Sequence, residues 1–499
     1  MGLTLVALLA SRASGMVRDA VIAFQFGASA TTDSFVSAFT LPDIISSLLL
    51  TGLVGVAVIP VLIRSEASGG PAVWRTTNAV LNLLIVGTAA LVLVGSLAAN
   101  QLIATLTPGL SPPNAELAAA MARIMFPALL FFVAAGLFAG ILNIGSRFAI
   151  PALTGLFVNI TMIAAVVLLH GRIGISALAW GFLAGSVLQL AVLVPGARRL
   201  GYRYQLTFGL RDPAVRAVFA AMGPYLLVIA TGYGRLVVER WLGSILVPGT
   251  IALLNFSNRV YAFPPAMIVA PISTVFYPMV VRGHIAKDAD ETRRTIAVGV
   301  RLILLGAVPA TLLLRYFAHP IVAAIYERGA FDARSAAATG YLLGLFAFGL
   351  LPVCLNDFLT RALFARQRIR FAAAITTSSL AVNVVADVAL TRVIGYPGLA
   401  WGATAAAWWL LTIIVVDSRL WLQREIVLTA LRAAIAGAVM TAIAVGLFDL
   451  TSQVHTTLRL GGALVVGAAV YVVALRLLSS KDARLLTSLA NEFFNRPQP

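Results

Sequence analysis

Nearly the whole of this 499-residue chain is laid out as long apolar runs, and that pattern limits what it can fold into. Bounded by Gly, Pro and charge clusters, the runs fall at 2–25, 33–63, 76–104, 115–144, 149–170, 174–197, 213–240, 248–281, 295–318, 335–364, 371–391, 396–418, 427–449 and 456–478. A helix needs roughly 20 apolar residues to cross the hydrocarbon core. The runs therefore predict an all-α membrane protein of about 14 transmembrane helices. Charged residues are only 11% of the chain and mean hydropathy is +0.96, whereas soluble domains are about 25% charged. So little polar surface cannot cover a protein of this size in water. Runs beyond 25 residues imply tilt or kinks. The second carries Pro42, Gly52 and Pro60, and the eighth Pro264, Pro265, Pro271 and Pro278; such interruptions are tolerated where a helix lines a cavity.

A net charge of +17 and a pI near 11.0 raise the question of nucleic acid. The placement of the arginines argues against it. Arg198, Arg199, Arg203, Arg211 and Arg216 lie between spans six and seven; Arg282, Lys287, Arg293 and Arg294 follow span eight; Arg366, Arg368 and Arg370 follow span ten. The alternate loops are poor, with Arg172, Arg328 and Arg334, Arg392 and Arg459 spread among them. By the positive-inside rule both termini face the cytoplasm, in keeping with an even number of spans. Lone Cys354 lies in an apolar run and forms no intrachain disulfide. The start, MGLTLVALLASRASG, lacks the basic region of a signal peptide and reads as a first membrane helix, with its abrupt opening consistent with a few residues missing upstream.

The chain repeats itself. Arg147-Phe148-Ala149, Val158-Asn159 and Leu178-Ala179-Trp180-Gly181 reappear as Arg370-Phe371-Ala372, Val382-Asn383 and Leu399-Ala400-Trp401-Gly402, about 222 residues later. Ile59-Pro60-Val61-Leu62-Ile63-Arg64 pairs with Tyr277-Pro278-Met279-Val280-Val281-Arg282 at an offset of 218. Six spans separate the copies, so the repeats share orientation, a transporter plan with substrate between the lobes. The expected division is an N-terminal lobe over 1–200, a C-terminal lobe over 201–425, and two extra helices with a cytoplasmic tail over 426–499.

Charges at membrane depth carry the functional signal. Arg12, Arg18 and Asp19 fall in the first span, Asp33 at the start of the second, Arg235, Glu239 and Arg240 in the seventh, Arg259 in the eighth and Asp387 in the eleventh. Facing lipid, each would cost ~2.5–3.5 kcal/mol, so they must face water, a partner or a ligand. Arg12 and Arg18, six apart, project about 120° apart and cannot both pack on one neighbour. Arg18 and Asp19 point in different directions, which makes a poor mutual pair. Two readings stand: interhelical ion pairs such as Asp33–Arg12, or a cationic cavity for an anionic headgroup, whose phosphate oxygens suit the planar arginine fork.

Asn383 and Asp387 share one helical face, and Glu239 and Thr404 could complete an oxygen cage for a monovalent cation. The alternative is helix packing, or a pair with Arg392 or Arg240. No enzyme constellation appears: His170, His284, His319 and His455 are far apart, and there is no GKS/GKT loop, GxSxG or CxxC.

Several patches carry a resemblance. Ser11-Arg12 with Arg18-Asp19, Phe26-Gly27-Ala28, Thr32-Asp33, Phe126-Pro127 through Gly140-Ile141-Leu142-Asn143, Asn258-Arg259-Val260-Tyr261 with Phe263-Pro264, Glu327-Arg328-Gly329-Ala330-Phe331, and Phe364-Ala365-Arg366-Gln367 resemble the MurJ/MviN lipid II flippases of the multidrug/oligosaccharidyl-lipid/polysaccharide superfamily. The resemblance covers nearly the whole chain. It implies a non-enzymatic, monomeric, two-lobed flippase of the bacterial cytoplasmic membrane, exchanging an undecaprenyl-diphosphate-linked sugar between leaflets by alternating access. It places substrate binding at Ser11, Arg12, Arg18, Asp19, Asp33 and Arg259. The two extra helices would form an apolar groove for the lipid tail. Some relatives bind sodium, which here would fall to Glu239, Asn383, Asp387 and Thr404; no other cofactor is implied.

One departure stands out. Where the family carries a basic pair followed by Glu-Gly-Ala-Phe, this chain reads Ser46-Ser47 and then Thr51-Gly52-Leu53-Val54. The change favours a related lipid-linked glycan, an exopolysaccharide or O-antigen unit, beside lipid II itself. A cation-coupled drug antiporter has twelve spans and lacks the extra pair. A membrane glycosyltransferase would need exposed catalytic carboxylates, and the external segments offer only Glu327 and Asp332. A non-transporting scaffold is the remaining alternative.

Overall fold

The computed structural model describes residues 2–52, 71–145, 147–419 and 423–485. Regular structure among these residues is helical throughout. Ten described segments are long and apolar enough to cross a membrane. One of them, Ala149–Arg199, runs 51 residues and contains two helices meeting at Gly174.

Helices begin and end where the chemistry of the chain dictates. α1 (Gly2–Phe26) and α2 (Ala30–Gly52) are joined at Gly27, and α3 (Pro71–Leu97) is followed by the short α4 (Ala99–Leu106). The expected run 115–144 is broken into α5 (Pro112–Met125) and α6 (Ala128–Ile144), because Pro127 offers no N–H to continue the ladder. α7 (Ala149–Ile173), α8 (Ala177–Arg199) and α9 (Pro213–Ser244) follow. The eighth run divides into α10 (Thr250–Tyr261) and α11 (Phe263–Ile285) just before Pro264-Pro265. α12 (Ala289–Tyr326), α13 (Ala333–Phe346), α14 (Leu350–Ala365), α15 (Ile369–Ile394), α16 (Pro397–Ser418), α17 (Arg424–Leu450) and α18 (Thr456–Leu478) complete the chain. The Ile59–Arg64 repeat marker and Leu53-Val54 lie outside the described residues.

The helices form two compact units. One comprises the chain up to Ala252 with Arg328–Phe331, and the other comprises Leu253–Glu327 with the chain from Asp332 onward. In the first, α7 packs on α1 and α8, and α6 on α8 and α3. The arginine-bearing 201–212 segment has no helix of its own, so α3 supplies its hydrogen bonds. Asn78 Nδ2 donates to Arg203 O at 2.8 Å, and Asn82 Nδ2 to Thr207 O at 2.8 Å. Tyr202 wedges edge-on between Trp74 and Phe138 and donates its hydroxyl to Asn78 Oδ1. Burial, with Tyr204 adding, pushes that hydroxyl up to about 12.

In the second unit α15 pairs with α16, and α17 and α18 pack together on α12. Leu305 meets Ala433, Ala436 and Met440, and Tyr471 donates to Leu305 O at 2.8 Å. The chain after α18 is pinned by Asp482, fully buried, which accepts from Arg301 at 2.6 Å, Arg432 at 3.0 Å and Thr429 at 3.1 Å. Burial pushes the Asp482 carboxyl up, but these bonds, with one from Ser479, outweigh it and hold the group below its ordinary value.

The repeat is visible inside each unit. α7–α8 and α15–α16 are both close helix pairs, and Gly181 and Gly402 hold the same place in them. A Cβ on Gly181 would stand 2.7 Å from Met162 Cα, and one on Gly402 would collide with Asp387 Oδ1. Glycine at this repeat position lets the second helix of each pair lie against the first.

Candidate functional site

α1 turns its polar face toward α7. Arg18 is pinned on two sides: Nε and Nη2 donate to Asp19 Oδ1 at 3.0 and 2.7 Å, and Nη1 donates to Asn159 Oδ1 at 3.0 Å. Adjacent residues were expected to make a poor pair. The flexible arginine stem folds back along α1, and the pair forms because both side chains are withdrawn from solvent, 12% and 5% exposed. Asn159, a repeat marker, also donates to Ser14 Oγ at 2.9 Å and Ser11 O at 3.3 Å. A guanidinium has five N–H donors. Three are used here, so Arg18 keeps two donors in a fixed orientation. Ser11 contributes its carbonyl to this network, while Arg12 is exposed with no carboxylate partner among the described residues.

Asp33 stands elsewhere. Its two oxygens accept from Gly249 N at 2.6 Å and Ala252 N at 2.7 Å, so it caps the N-terminus of α10 from α2. The suggested Asp33–Arg12 pair is replaced by this cap, and an acid buried beneath two amides is poorly placed for a headgroup. Arg259 lies exposed near the end of α10, the helix that Asp33 caps. Ser46 is buried and donates to Asp43 O at 3.0 Å, a local bond that supplies no charge. The family-like patches at 26–28 and 328–331 meet: Ala330 N donates to Phe24 O at 2.7 Å, and neither Gly27 nor Gly329, both left-handed, has room for a Cβ.

The cation candidates divide. Glu239 belongs to the first unit, where Arg240 lies 3.4 Å and Arg235 4.0 Å from its oxygens. Asn383, Asp387 and Thr404 belong to the second, all buried, on α15 and α16. Neither amide atom of Asn383, nor Thr404 Oγ1, has a hydrogen-bond partner among the described residues. Sequence reasoning missed Gly349 and Tyr261. A Cβ on Gly349 would stand 3.1 Å from Thr404 Oγ1 and 3.3 Å from Tyr261 Oη, so both oxygens face that glycine. The set offers neutral oxygens beside one carboxylate, the donor chemistry of a hard monovalent cation. Among the described residues there is no cluster of three or more His, Cys, Asp or Glu that could hold a metal.

Comparison with known proteins decides the family. The model of the family described as "Lipid II flippase MurJ" matches residues 22–461. The chain belongs to the MurJ family. It is 30% identical over 400 residues to the lipid II flippase MurJ of Burkholderia cenocepacia, covering 78% of each chain. It is 28% identical over 503 residues to the probable lipid II flippase MurJ of Vibrio cholerae, covering 96% of each. A solved structure of lipid II flippase MurJ in an inward closed conformation superimposes with a TM-score of 0.81 at 20% identity, covering 96% of this chain and 98% of that one. The MurJ fold is therefore that of this chain. The matched region takes in Asp33, Asn159 and Arg259, while Arg12 and Arg18 precede it.

Proposed function

We propose that this chain is a flippase carrying lipid II, the undecaprenyl-diphosphate-linked peptidoglycan precursor, across the bacterial cytoplasmic membrane by alternating access. The match of the lipid II flippase family over residues 22–461 carries this reading. Arg18, with two oriented N–H groups to spare, adds the chemistry a diphosphate requires, and Arg259 is a further arginine, exposed on α10. Ser11, Asp19 and Asn159 position Arg18, and Arg12 adds charge. The protein works as a monomer and needs no catalytic group. The Ser46-Ser47 departure favours one second reading, a flippase for another lipid-linked glycan. Complementation separates them: the chain should restore growth to a strain depleted of its lipid II flippase. Rescue of exopolysaccharide or O-antigen export without rescue of growth would transfer the assignment to the other glycan.

Fourteen spans with both termini in the cytoplasm is the topology we infer, supported by the loop arginines. In a background with Cys354 replaced, an impermeant thiol reagent added to cells should label cysteines placed in 107–111 and miss those placed at 286–288. The opposite labelling would invert the assigned orientation.

A further inference from the structure

Three turns of the second unit surround a cavity of about 480 Å³: 286–288 between α11 and α12, 366–368 between α14 and α15, and 417–419 at the end of α16. Its wall carries His284, Lys287, Arg293, Arg366, Arg368 and Arg419 against only two acids, Asp288 and Asp417. Both acids are committed. Asp288 caps α12, accepting from Glu291 N at 2.8 Å. Asp417 takes two bonds from Arg368, one of 2.9 Å at Oδ1, and Arg368 also stacks on Phe371. Lys287, Arg293, Arg366 and Arg419 make no direct ion pair among the described residues, and Arg366 acts on Asp417 through space.

The backbone adds an independent observation. The described chain has three non-glycine residues at positive φ, Lys287 at 57°, Gln367 at 58° and Arg419 at 54°, and each sits on one of these turns. A left-handed residue after a helix is ordinarily glycine, since a Cβ is disfavoured there. Lysine and arginine in that position sacrifice backbone ease and keep a cation at the cavity rim. Positive-inside topology explains a count of charges. It is indifferent to backbone conformation and to whether the charges converge on one cavity. Strain of this kind gathers where a ligand is clamped. Arg366 and Gln367 also end the Phe364-Ala365-Arg366-Gln367 motif, which the Arg18 network does not use.

We propose that this cavity binds a phosphate-bearing anion, with Lys287, Arg293, Arg366 and Arg419 as its ligands and Arg368 held as a fixed wall by Asp417. Four cations in no direct ion pair suit a multiply charged group better than a carboxylate, and the arginine forks match phosphate oxygens. The phosphate could belong to an anionic phospholipid headgroup or to a soluble polyphosphate.

The test uses the purified full chain and its melting temperature. Pyrophosphate is compared with sodium chloride of equal ionic strength in detergent, and phosphatidylglycerol with phosphatidylcholine in nanodiscs. Wild type should melt several degrees higher with at least one phosphate probe. Lys287→Gly/Arg419→Gly should melt at or above wild type without ligand, because glycine relieves both turns, yet bind about tenfold more weakly or worse. Arg366→Gln, which leaves those turns alone, should also lose the shift. A shift with phosphatidylglycerol alone assigns the site to a headgroup, and a shift with pyrophosphate to any accessible phosphate. No shift with either probe, a shift that sodium chloride reproduces, or one that survives both variants overturns the site.

Discussion

Arg18→Ala is expected to abolish rescue of a flippase-depleted strain, and to cost stability as well. The arginine pairs with Asp19, whose side chain is 5% exposed; removing one partner of a buried carboxylate costs up to about 3–5 kcal/mol. Loss of rescue by this variant would therefore be ambiguous by itself. Arg18→Ala/Asp19→Asn removes the carboxylate charge as well, and should recover much of the melting temperature and membrane level without recovering rescue. Arg18→Lys is the complementary probe. It keeps a cation beside Asp19 but gives up the fork that reaches Asn159 while leaving two donors over, so transport should fall steeply with little change in stability. Growth supported by the Ala/Asn double variant would mean that Arg18 serves only to neutralise Asp19, and the headgroup assignment would fail.

How much of this was legible in the sequence follows from which interactions are local. Apolar runs located the helices well, because each span satisfies its own backbone and its length is set by the bilayer. Breaks at Pro127 and before Pro264 were carried by the residues themselves. The repeat was legible too, since Gly181 and Gly402 mark the same close approach in two helix pairs. What helical spacing could not supply was partner choice. It rejected Arg18–Asp19, which a long side chain makes possible, and could not foresee Asp33 capping a helix that begins more than 200 residues later. Nor could it show that Asp482, beyond the last span, gathers Arg301, Arg432 and Thr429. The left-handed turns at Lys287, Gln367 and Arg419 were invisible for a related reason: nothing about those residue types announces positive φ.

Sodium should raise the melting temperature of the wild-type protein, and Asp387→Asn should remove that shift. Asn383 and Thr404 carry buried polar atoms that lack hydrogen-bond partners among the described residues. A buried polar group left unsatisfied costs about 1–3 kcal/mol, so the arrangement makes physical sense if a ligand completes it. A sodium ion would take Asn383 Oδ1, Thr404 Oγ1 and the Asp387 carboxylate, with Tyr261 Oη near Thr404 as a neutral neighbour. Asparagine at 387 keeps the shape that packs on Gly402 and removes the charge, so its sodium-free stability should stay close to wild type. At a concentration near 100 Kd, binding to the folded state alone adds about 2.7 kcal/mol, a shift readily measured against potassium as control. The same experiment bears on coupling, since a diphosphate-linked substrate does not itself set a direction and some differential interaction must favour one state. If sodium supplies it, Asp387→Asn should remove the sodium dependence of transport along with that of melting. If membrane potential does, at about 2.3 kcal/mol per charge per 100 mV, collapsing the potential should stop transport in both proteins alike. A wild-type melting temperature indifferent to sodium would reduce Asn383, Asp387 and Thr404 to helix packing and leave the field as the driving term.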